Sequence, residues 1–327
     1  MKKIEVIQVG LGNVGQGVVR MLAGKDWAEI VGAVDVARDK VEKDLGDVVG
    51  LNRRLGVQVT ADSDALFSNT RADIVIHATK SRTLKDIFPE IIRPVEMGMN
   101  VMTPCMDVSD PYLYDPGISA KIDEITKKHR VSFLGIGSTQ LAARVAIALA
   151  ETCREIKKIR FTAHADVSKF HTESRQGEFG IDLTLDEYHQ EMASGGIKGC
   201  NALKKEAKLI ADRLGIELDE VKPRYEPIPD KDGRITAVHH IFEGIKDGKI
   251  RVEYIYKFVL DPEHQYYHEI IVDGIPGINA LINYSPDRGL EGTIVPLVNC
   301  IPLLVKAQPG IVRMLDLGVG FPLDTRN

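Results

Sequence analysis

The chain reads Ile4-Glu5-Val6-Ile7-Gln8-Val9-Gly10-Leu11-Gly12-Asn13-Val14-Gly15 near its start, a short apolar run that ends in G-x-G-x-x-G. Each glycine lacks a side chain for a different reason. Gly10 suits a tight turn, Gly12 lets a pyrophosphate approach the backbone, and Gly15 lets the next helix pack on the strand. The amino end of that helix favours a phosphate charge. The segment therefore predicts a dinucleotide site, with contacts from Gly10, Leu11, Gly12, Asn13, Val14 and Gly15.

A second apolar run supports this prediction and points to the cofactor. Ile30-Val31-Gly32-Ala33-Val34 ends at Asp35, 20 residues after Gly15. A carboxylate at this position accepts the ribose hydroxyls and repels a 2′-phosphate, which favours NAD over NADP. Arg38 is either a bidentate contact for a 2′-phosphate or a solvated loop residue, so NADP stays open. Asp35 has an alternative role as a turn or helix-cap residue, and Val36 completes the expected contacts.

Length and charge place the chain among soluble two-domain proteins. Its 327 residues suit two domains, each with a core. The net charge of −5 and the lack of a long basic tract argue against nucleic acid or an anionic membrane as partner. No apolar stretch approaches the roughly 18 residues of a membrane span, and Lys2-Lys3 leads straight into the first strand, so we expect no signal peptide. Scattered cysteines without a C-x-x-C pair indicate reduced thiols and a cytoplasmic protein.

Strand and helix signals alternate over the first part of the chain. Strands are predicted near 57–60, 74–78, 100–102 and 131–134, and helices near 62–69, 84–97 and 117–129. This alternation predicts an α/β fold, with a Rossmann-type, doubly wound parallel sheet over residues 1–140. Ligands of such sheets bind beyond the carboxyl ends of the strands, so we expect the loops after the strands near 74–78 and 100–102 to contact the cofactor. Their expected cofactor contacts are Ala78, Thr79, Ser81, Thr103 and Pro104.

The pattern changes after residue 140. Helices are predicted near 141–152, 184–193 and 200–214, and strands near 158–165, 235–244, 249–260 and 267–272. Asp247-Gly248 predicts a hairpin between two of these strands. We expect an α+β substrate and oligomerisation domain over 141–289, with a mixed or antiparallel sheet whose exposed face forms a homodimer. A helical segment within 290–327 is expected to pack back on the first domain.

With this order of elements, the chain resembles the 2,4-diaminopentanoate dehydrogenases and native amine dehydrogenases, which belong to the dihydrodipicolinate reductase-like group. The resembling segments are Lys43-Asp44-Leu45-Gly46-Asp47, His77-Ala78-Thr79-Lys80-Ser81, Gly98-Met99-Asn100-Val101 before Cys105, Asp166-Val167-Ser168, and Asn299-Cys300-Ile301-Pro302 with Pro309-Gly310-Ile311. The resemblance implies NAD(P) in the first domain and a small amine or ketone substrate at the domain cleft. It also implies reversible oxidation of a primary amine to an imine that water hydrolyses.

The sequence departs from this family pattern at three places. Met106-Asp107 stands where the family carries paired acids, Gly137-Ser138-Thr139-Gln140 replaces an N-P-G-type segment, and Phe170-His171 replaces an Arg-Arg pair. Amine oxidation needs a base, because an ammonium has no lone pair with which to expel hydride. Asp107 is expected as that base, with a turn residue as the alternative. Met106 is expected to shape an apolar substrate pocket.

Proton-active and anion-binding groups concentrate in His164-Ala165-Asp166-Val167-Ser168-Lys169-Phe170-His171, which Arg175 follows. His164 and Asp166 share parity on an extended chain and can face one side, and histidines exchange protons near neutral pH. The alternative is a solvated polar loop. The expected roles are catalytic for His164, Asp166 and His171, and substrate-binding for Ser168, Lys169 and Arg175.

Neither metal nor thiol chemistry is expected. His239-His240 lies in a predicted strand, so the two rings point to opposite faces and cannot share a metal ion. Cys105 has no evident partner for a thiolate, which favours a packed residue. Two other functions stay open: a dihydrodipicolinate reductase-like imine reductase, and a non-catalytic NAD(P)-binding protein.

Overall fold

The computed structural model describes residues 2–79, 83–105, 108, 110–136, 138–168, 172–197, 203–263, 266–284 and 290–318. The chain divides into two compact units. One unit comprises Met1–Gln140 together with Gly289–Asn327, and the other comprises Leu141–Arg288. Residues 290–318 therefore belong to the same unit as residues 2–79.

The first unit holds a parallel sheet of seven strands within the described residues. Its strands are β1 (Ile4–Val9), β2 (Ala28–Val34), β3 (Val59–Thr60), β4 (Ile74–His77), β5 (Asn100–Thr103), β6 (Ser132–Gly135) and β13 (Gly310–Arg313). They lie in the order β13-β6-β5-β4-β1-β2-β3, so the order reverses between β1 and β4. This is the doubly wound arrangement that the alternating sequence pattern predicted, and the predicted fold class is confirmed.

Helices connect these strands and bury their apolar stripes against the sheet. They are α1 (Asn13–Leu22), α2 (Leu45–Val48), α3 (Ser63–Asn69), α4 (Leu84–Glu96), α5 (Pro111–Tyr114), α6 (Pro116–His129) and α11 (Glu291–Leu304). In α1 the buried stripe contains Val18, Val19 and Leu22. A capping box between Thr83 and Asp86 starts α4 by satisfying free backbone N–H groups at its amino end.

The C-terminal segment is an integral part of this unit. The helix α11 packs against α1. Strand β13 pairs with β6 in parallel, in the register Gly310 to Ser132. The Ser132 hydroxyl also donates to the Gln308 carbonyl at 3.0 Å. Strand β13 therefore adds an edge strand to the sheet, although it lies far from β6 in the sequence.

The second unit holds a mixed sheet of six strands in the part of the chain that is described. The strands are β7 (Glu155–Asp166), β8 (Glu220–Pro229), β9 (Ile235–Lys246), β10 (Lys249–Val259), β11 (Tyr267–Ile275) and β12 (Ile278–Asn283). Their order is β12-β11-β7-β10-β9-β8, with β7 and β10 parallel and the other neighbours antiparallel. Asp247 (φ 50°) and Gly248 (φ 70°) form the turn between β9 and β10. The predicted hairpin is confirmed, because a two-residue turn of this kind requires positive φ at both positions.

Helices of the second unit are α7 (Ser138–Ala150), α8 (Thr172–Ser174), α9 (Leu185–Ser194) and α10 (Leu203–Arg213), with a π-helix over Arg175–Phe179. The helix α10 packs on β8, β9 and β10. Phe161, Phe242 and Tyr254 are fully buried in this unit. Throughout the described residues, no helix has both the length and the apolar character that crossing a membrane requires.

Three strands were absent from the sequence prediction, and each lies at a sheet edge. Strand β8 contains Pro223, Pro227 and Pro229. Proline donates no N–H group, so it is tolerated on an edge strand but weakens the strand signal in the sequence. Strands β12 and β13 directly follow Pro276-Gly277 and Pro309, residue types that indicate turns in a sequence. Of these three strands, β13 pairs with β6, which is distant in sequence, whereas β8 and β12 pair with the adjacent strands β9 and β11.

Candidate functional site

A cavity of about 1020 Å³ opens in the first unit beside the carboxyl ends of β1, β2, β4 and β5. Ligands of doubly wound sheets bind in this position, where the strand order reverses. That reversal lies between β1 and β4. The residues lining the cavity include these predicted cofactor contacts: Gly10, Leu11, Gly12, Asn13, Val14, Asp35, Val36, Ala78, Thr79 and Pro104.

The glycine-rich loop has the shape that a pyrophosphate needs. Gly10 adopts φ +84°, and a Cβ there would collide with the Ala78 carbonyl. A Cβ on Gly15 would collide with the Gly10 carbonyl, so the start of α1 packs tightly against the loop. A Cβ on Gly12 would meet no protein atom within 4 Å. Open space thus lies in front of Gly12 and the amino end of α1, where backbone N–H groups attract an anion.

Asp35 points into the same cavity from the end of β2. Its Oδ2 accepts the Leu11 N–H at 2.7 Å, and its Oδ1 accepts the Ala37 N–H at 2.8 Å. Burial alone would raise the pKa of Asp35, but the Ala37 and Leu11 amides and Lys40 outweigh it and hold the pKa below its usual range. Asp35 is therefore a charged acceptor at neutral pH, held at the position where a ribose would lie.

The cation beside Asp35 is Lys40. Its Nζ lies 2.9 Å from the Leu11 carbonyl oxygen and 3.3 Å from Asp35 Oδ2, and Lys40 lines the cavity. Arg38, for which the sequence left open a phosphate contact or a solvated loop residue, is exposed and is not among the lining residues. The loop after β2 therefore turns Lys40, rather than Arg38, toward the carboxylate.

The outer part of the cavity offers an apolar surface with charged groups at its rim. Val36 is 82% exposed and forms an apolar part of the cavity lining. Phe67 of α3 lines the same space. At the rim, Arg93 of α4 donates to Asp64 of α3 at 3.1 Å.

A polar cluster of His77, Thr79 and Glu90 lies where β4 ends. His77 Nε2 is 2.8 Å from Glu90 Oε2 and 3.3 Å from Thr79 Oγ1. The His77 side chain is only 3% exposed, while Thr79 and Glu90 line the cavity. The cluster therefore ties the loop after β4 to α4 at the cavity wall. Sequence analysis did not single out Glu90, because nothing in its helical segment marks it as a partner of His77.

At the end of β5, the predicted residues divide into structural and lining groups. Thr103 is buried, and its hydroxyl accepts the Cys105 N–H at 3.3 Å. Pro104 and Cys105 line the cavity, and Cys105 also packs in the hydrophobic core. The predicted base and pocket residue come next in the chain. Asp107 and Met106, like Ser81, lie outside the described residues.

In the second unit, the segment after β7 is organised by its own side chains. Asp166 Oδ1 accepts the Ser168 N–H at 2.9 Å, and its Oδ2 accepts the Ser168 hydroxyl at 2.6 Å. The Asp261 N–H also donates to Asp166 at 3.2 Å. Asp166 and Ser168 are thus in contact, and their hydrogen bonds shape the turn.

Arg175 joins the same group of residues. Its Nε donates to Asp182 Oδ2 at 2.8 Å, and one terminal nitrogen donates to the Ser168 carbonyl at 3.2 Å. His164 lies two residues before Asp166 but stacks on Tyr267, with ring centroids 5.0 Å apart. Lys169 and His171 lie outside the described residues. Among those that are described, no group of three or more His, Cys, Asp or Glu side chains is arranged to hold a metal ion.

Comparison with known proteins connects these two units to one family. The model of the 2,4-diaminopentanoate dehydrogenase C-terminal domain matches residues 141–325. The chain belongs to this family. The model of the dihydrodipicolinate reductase N-terminus matches residues 4–95, the part that contains the glycine-rich loop and Asp35. The resemblance inferred from the sequence is confirmed, and the chain is an oxidoreductase of an NAD(H)-binding dehydrogenase family.

Individual relatives agree with this assignment over nearly their whole length. The chain is 29% identical to 2,4-diaminopentanoate dehydrogenase of Acetoanaerobium sticklandii, covering 98% of this chain and 94% of that protein. It is 22% identical to an amine dehydrogenase of Streptomyces virginiae, covering 96% of each. The solved amine dehydrogenase of Mycobacterium smegmatis shares the fold, with a TM-score of 0.81, 23% identity and 97% coverage of each chain.

Proposed function

We propose that the protein oxidises the C–N bond of a small primary amine or diamino acid with NAD(P) as hydride acceptor. The observation that carries this proposal is the family match across the second unit. The first unit adds a cavity whose glycine-rich loop, helix end and carboxylate suit a dinucleotide. The named relatives, a 2,4-diaminopentanoate dehydrogenase and an amine dehydrogenase, support an amine as the substrate class.

The residues of the cavity fit the cofactor. Open space at Gly12 suits the pyrophosphate, Asp35 suits the ribose hydroxyls, and the exposed Val36 suits the adenine ring. The bound nicotinamide supplies the hydride acceptor, and the protein supplies alignment and proton transfer. Predicted contacts that lie outside the cavity lining, Thr103 and Gly15, act through packing in this arrangement.

The amine chemistry needs a base and a water molecule. We assign the base to Asp107, which takes a proton from the ammonium so that the nitrogen lone pair can expel hydride from the neighbouring carbon. Water then adds to the resulting imine, and the C–N bond breaks. In sum, the ammonium substrate, oxidised cofactor and water give a ketone or aldehyde, ammonium, reduced cofactor and one proton.

The residues at the end of β7 and directly after it, together with Met106, are proposed to hold the substrate and to move its protons. We keep His164, Asp166 and His171 as proton-handling candidates, and Met106, Ser168, Lys169 and Arg175 as substrate-binding candidates. The contacts of Asp166 with Ser168, and of Ser168 with Arg175, support a role for these three in shaping the segment. A π-helix directly after it, over Arg175–Phe179, is a feature often found near functional sites.

The experiment is a substrate panel. Short primary amines, diamines and diamino acids are offered with NAD or NADP, and cofactor reduction is followed by absorbance. The reverse reaction uses the matching ketone, ammonia and reduced cofactor. We expect turnover in both directions, with the reverse reaction strictly dependent on ammonia. Failure of every amine and every ketone with ammonia would remove the proposal.

An imine reductase is the second candidate, because the first unit matches the dihydrodipicolinate reductase N-terminus. The same panel separates the two functions. Reduction of a cyclic imine by NADH or NADPH without ammonia favours the second candidate. Binding of reduced cofactor without any turnover instead favours a non-catalytic nucleotide-binding protein.

We also propose that the protein forms a homodimer through the sheet of the second unit. One cross-strand row of this sheet runs from Leu281, which is 59% exposed, through Glu269, Thr162 and Ile255 to Ile241. We place the contact at β12, the edge strand that carries Leu281, because an edge strand offers unpaired N–H and C=O groups to a second chain. Light scattering during gel filtration is expected to give twice the chain mass of 36.1 kDa, and Leu281→Lys is expected to shift it toward the monomer.

A further inference from the structure

Four aromatic side chains of the second unit, outside the residues assigned to the reaction, are joined by hydrogen bonds. Tyr266 Oη lies 2.8 Å from Tyr256 Oη and 3.0 Å from His268 Nε2. On the other side of the imidazole, His268 Nδ1 lies 3.0 Å from Tyr284 Oη. Both ring nitrogens of His268 are therefore engaged by tyrosine hydroxyls. We call these four side chains the aromatic network.

The aromatic network lies at the end of the sheet where β7 stops. Tyr256 is on β10, which runs parallel to β7 and ends with Val259 opposite Asp166. Strand β11 is antiparallel to β7 and begins at the same end of the sheet, directly after Tyr266. Strand β12 stops there, directly before Tyr284. The network therefore shares this end of the sheet with the segment that is proposed to move the substrate protons.

Apolar side chains surround the middle of the network. His268 is fully buried and Tyr256 is 8% exposed. The Phe161 ring meets the His268 ring edge-on, with centroids 4.9 Å apart, and Phe258 stacks on Tyr256 at 4.7 Å. A buried hydroxyl or imidazole costs free energy unless it is hydrogen-bonded, so phenylalanine would fill these positions at lower cost. The polar groups instead provide a hydrogen-bonded path through the interior, where neighbouring hydrogen bonds polarise one another.

We propose that the aromatic network is a proton relay for the dehydrogenase reaction. Amine oxidation, as proposed above, releases one proton per turnover, and the inference rests on that function for the proton it carries. A hydroxyl both donates and accepts a hydrogen bond, and a neutral imidazole donates with one nitrogen and accepts with the other. Every link of the network can therefore run in either direction. Tyr284, which is half-buried, is the outer member.

The transfer balances without a net charge on any member. In the outward arrangement, Tyr256 donates to Tyr266, and Tyr266 donates to His268 Nε2. The Nδ1–H of His268 donates to Tyr284. When a proton arrives at Tyr256 Oη, each group passes its own proton to the next, and one proton leaves Tyr284. No bond between heavy atoms changes, all four groups end neutral, and every hydrogen bond has reversed. The reverse reaction runs the same transfers inward.

The first test measures turnover in variants that keep the aromatic rings. Tyr266→Phe removes the oxygen shared by two of the hydrogen bonds, and His268→Phe removes the imidazole. Each should lower kcat about tenfold to 100-fold, while KM and the dissociation constant of NADH change by less than about threefold. The double variant should be no worse than the single ones, because one broken link already stops the relay.

Rescue by a diffusible base separates a relay from a packing role. Imidazole added at increasing concentration should raise kcat of Tyr266→Phe and His268→Phe by about tenfold, because it carries the proton that the network no longer carries. The wild-type kcat should not respond. Tyr188→Phe is the matched control, since the buried Tyr188 hydroxyl has no hydrogen-bond partner among the described residues of its unit. Its kcat should stay at the wild-type value, with or without imidazole.

The second test needs no turnover. Nitrogen NMR of histidine-labelled protein follows the exchange of the His268 ring proton with water, and the signal is assigned by its loss in His268→Phe. In a relay, the neighbouring hydroxyls carry this exchange, so Tyr266→Phe and Tyr284→Phe should each slow it about tenfold, the effect of one lost hydrogen bond on a barrier. If the network only holds the strands together, losing a hydroxyl should leave the exchange unchanged or make it faster.

The outcomes distinguish this inference from the proposed function. If the wild-type protein turns over no amine, the proposed function fails, and the exchange measurement alone then supports or overturns the relay. If it turns over an amine but the variants keep full kcat, or lose kcat that imidazole does not restore, the relay is overturned. Thermal unfolding checks that each variant folds, and Tyr284→Phe, at the half-buried position, replaces any variant that does not.

Discussion

The cavity of the first unit and the 166–182 segment of the second unit use their polar groups in different ways. In the cavity, the Gly12 loop faces open space and Asp35 is held by backbone amides at its rim. In the 166–182 segment, Asp166, Ser168, Arg175 and Asp182 hydrogen-bond to one another. The comparison shows that the glycine-rich motif leaves space that a ligand can enter. The clustered polar side chains of the 166–182 segment instead hold their own loop together.

The largest effect should follow a charge placed at Gly12. Because a side chain there meets no protein atom within 4 Å, Gly12→Glu should fold normally while its carboxylate repels the pyrophosphate. We expect the dissociation constant of NADH to rise on the order of 1,000-fold, measured by fluorescence. Gly318→Glu is the control, since a Cβ there also meets nothing within 4 Å. An unchanged affinity in Gly12→Glu would place the pyrophosphate elsewhere.

A structural aspartate in the same unit should affect stability instead of binding. Asp44 accepts the N–H groups of Gly46, Leu55 and Gly56 at 2.8, 2.9 and 2.8 Å and is 6% exposed. Asp44→Ala should lower the free energy of unfolding by about 3 kcal/mol, measured in urea. Asp47→Ala, whose carboxylate is 57% exposed, should cost less than about 0.5 kcal/mol. Equal losses in both variants would contradict this account of Asp44.

Asp44 also makes the free energy of unfolding depend on pH, in a direction that its lowered pKa determines. Burial alone would raise the pKa of Asp44, but the Leu55, Gly46 and Gly56 amides and Arg54 outweigh it and lower the pKa. A carboxylate with a folded pKa below its unfolded one stabilises at neutral pH, and this stabilisation is lost as the pH falls through the folded pKa. The difference in unfolding free energy between wild type and Asp44→Asn should therefore shrink below about pH 4.

Asp107→Asn tests the base. Removing a general base should lower kcat at least about 100-fold, with little change in the dissociation constant of NADH. Asp115→Asn is a suitable control, because Asp115 caps α6 through the Ile118 N–H at 2.9 Å and asparagine caps equally well. Retention of kcat in Asp107→Asn would move the proton-handling role to the 164–171 segment.

The smallest effect is expected at Arg175, and it sharpens the comparison most directly. If Arg175 positions the segment by holding Asp182, then Arg175→Gln and Asp182→Asn should each lower kcat/KM about tenfold, and the double variant should be no worse than either single one. Thermal unfolding should show the same pattern. A much larger rise in KM for Arg175→Gln than for Asp182→Asn would instead show that Arg175 binds the substrate.

Sequence reasoning was most successful where the signal is local. The G-x-G-x-x-G loop, the position of Asp35 and the alternation of strands and helices all follow from short-range patterns, and the resemblance to one family was confirmed. It was least successful at edges: β8 was hidden by its prolines, and β12 and β13 directly follow Pro276-Gly277 and Pro309. An edge strand is defined by its neighbour, and its own residues carry little of that information.

Lys40 illustrates, within the site, the same difference between what local sequence predicts and what the tertiary structure adds. Local pattern alone is enough to establish a parallel α/β domain with a dinucleotide loop, because glycine spacing and hydrophobic periodicity act over a few residues. Which cation meets Asp35, and which carboxylate Arg175 pairs with, was decided by the fold. Those contacts depend on the path of each loop and on residues brought near by strand pairing, and such distances are not encoded in spacing along the chain.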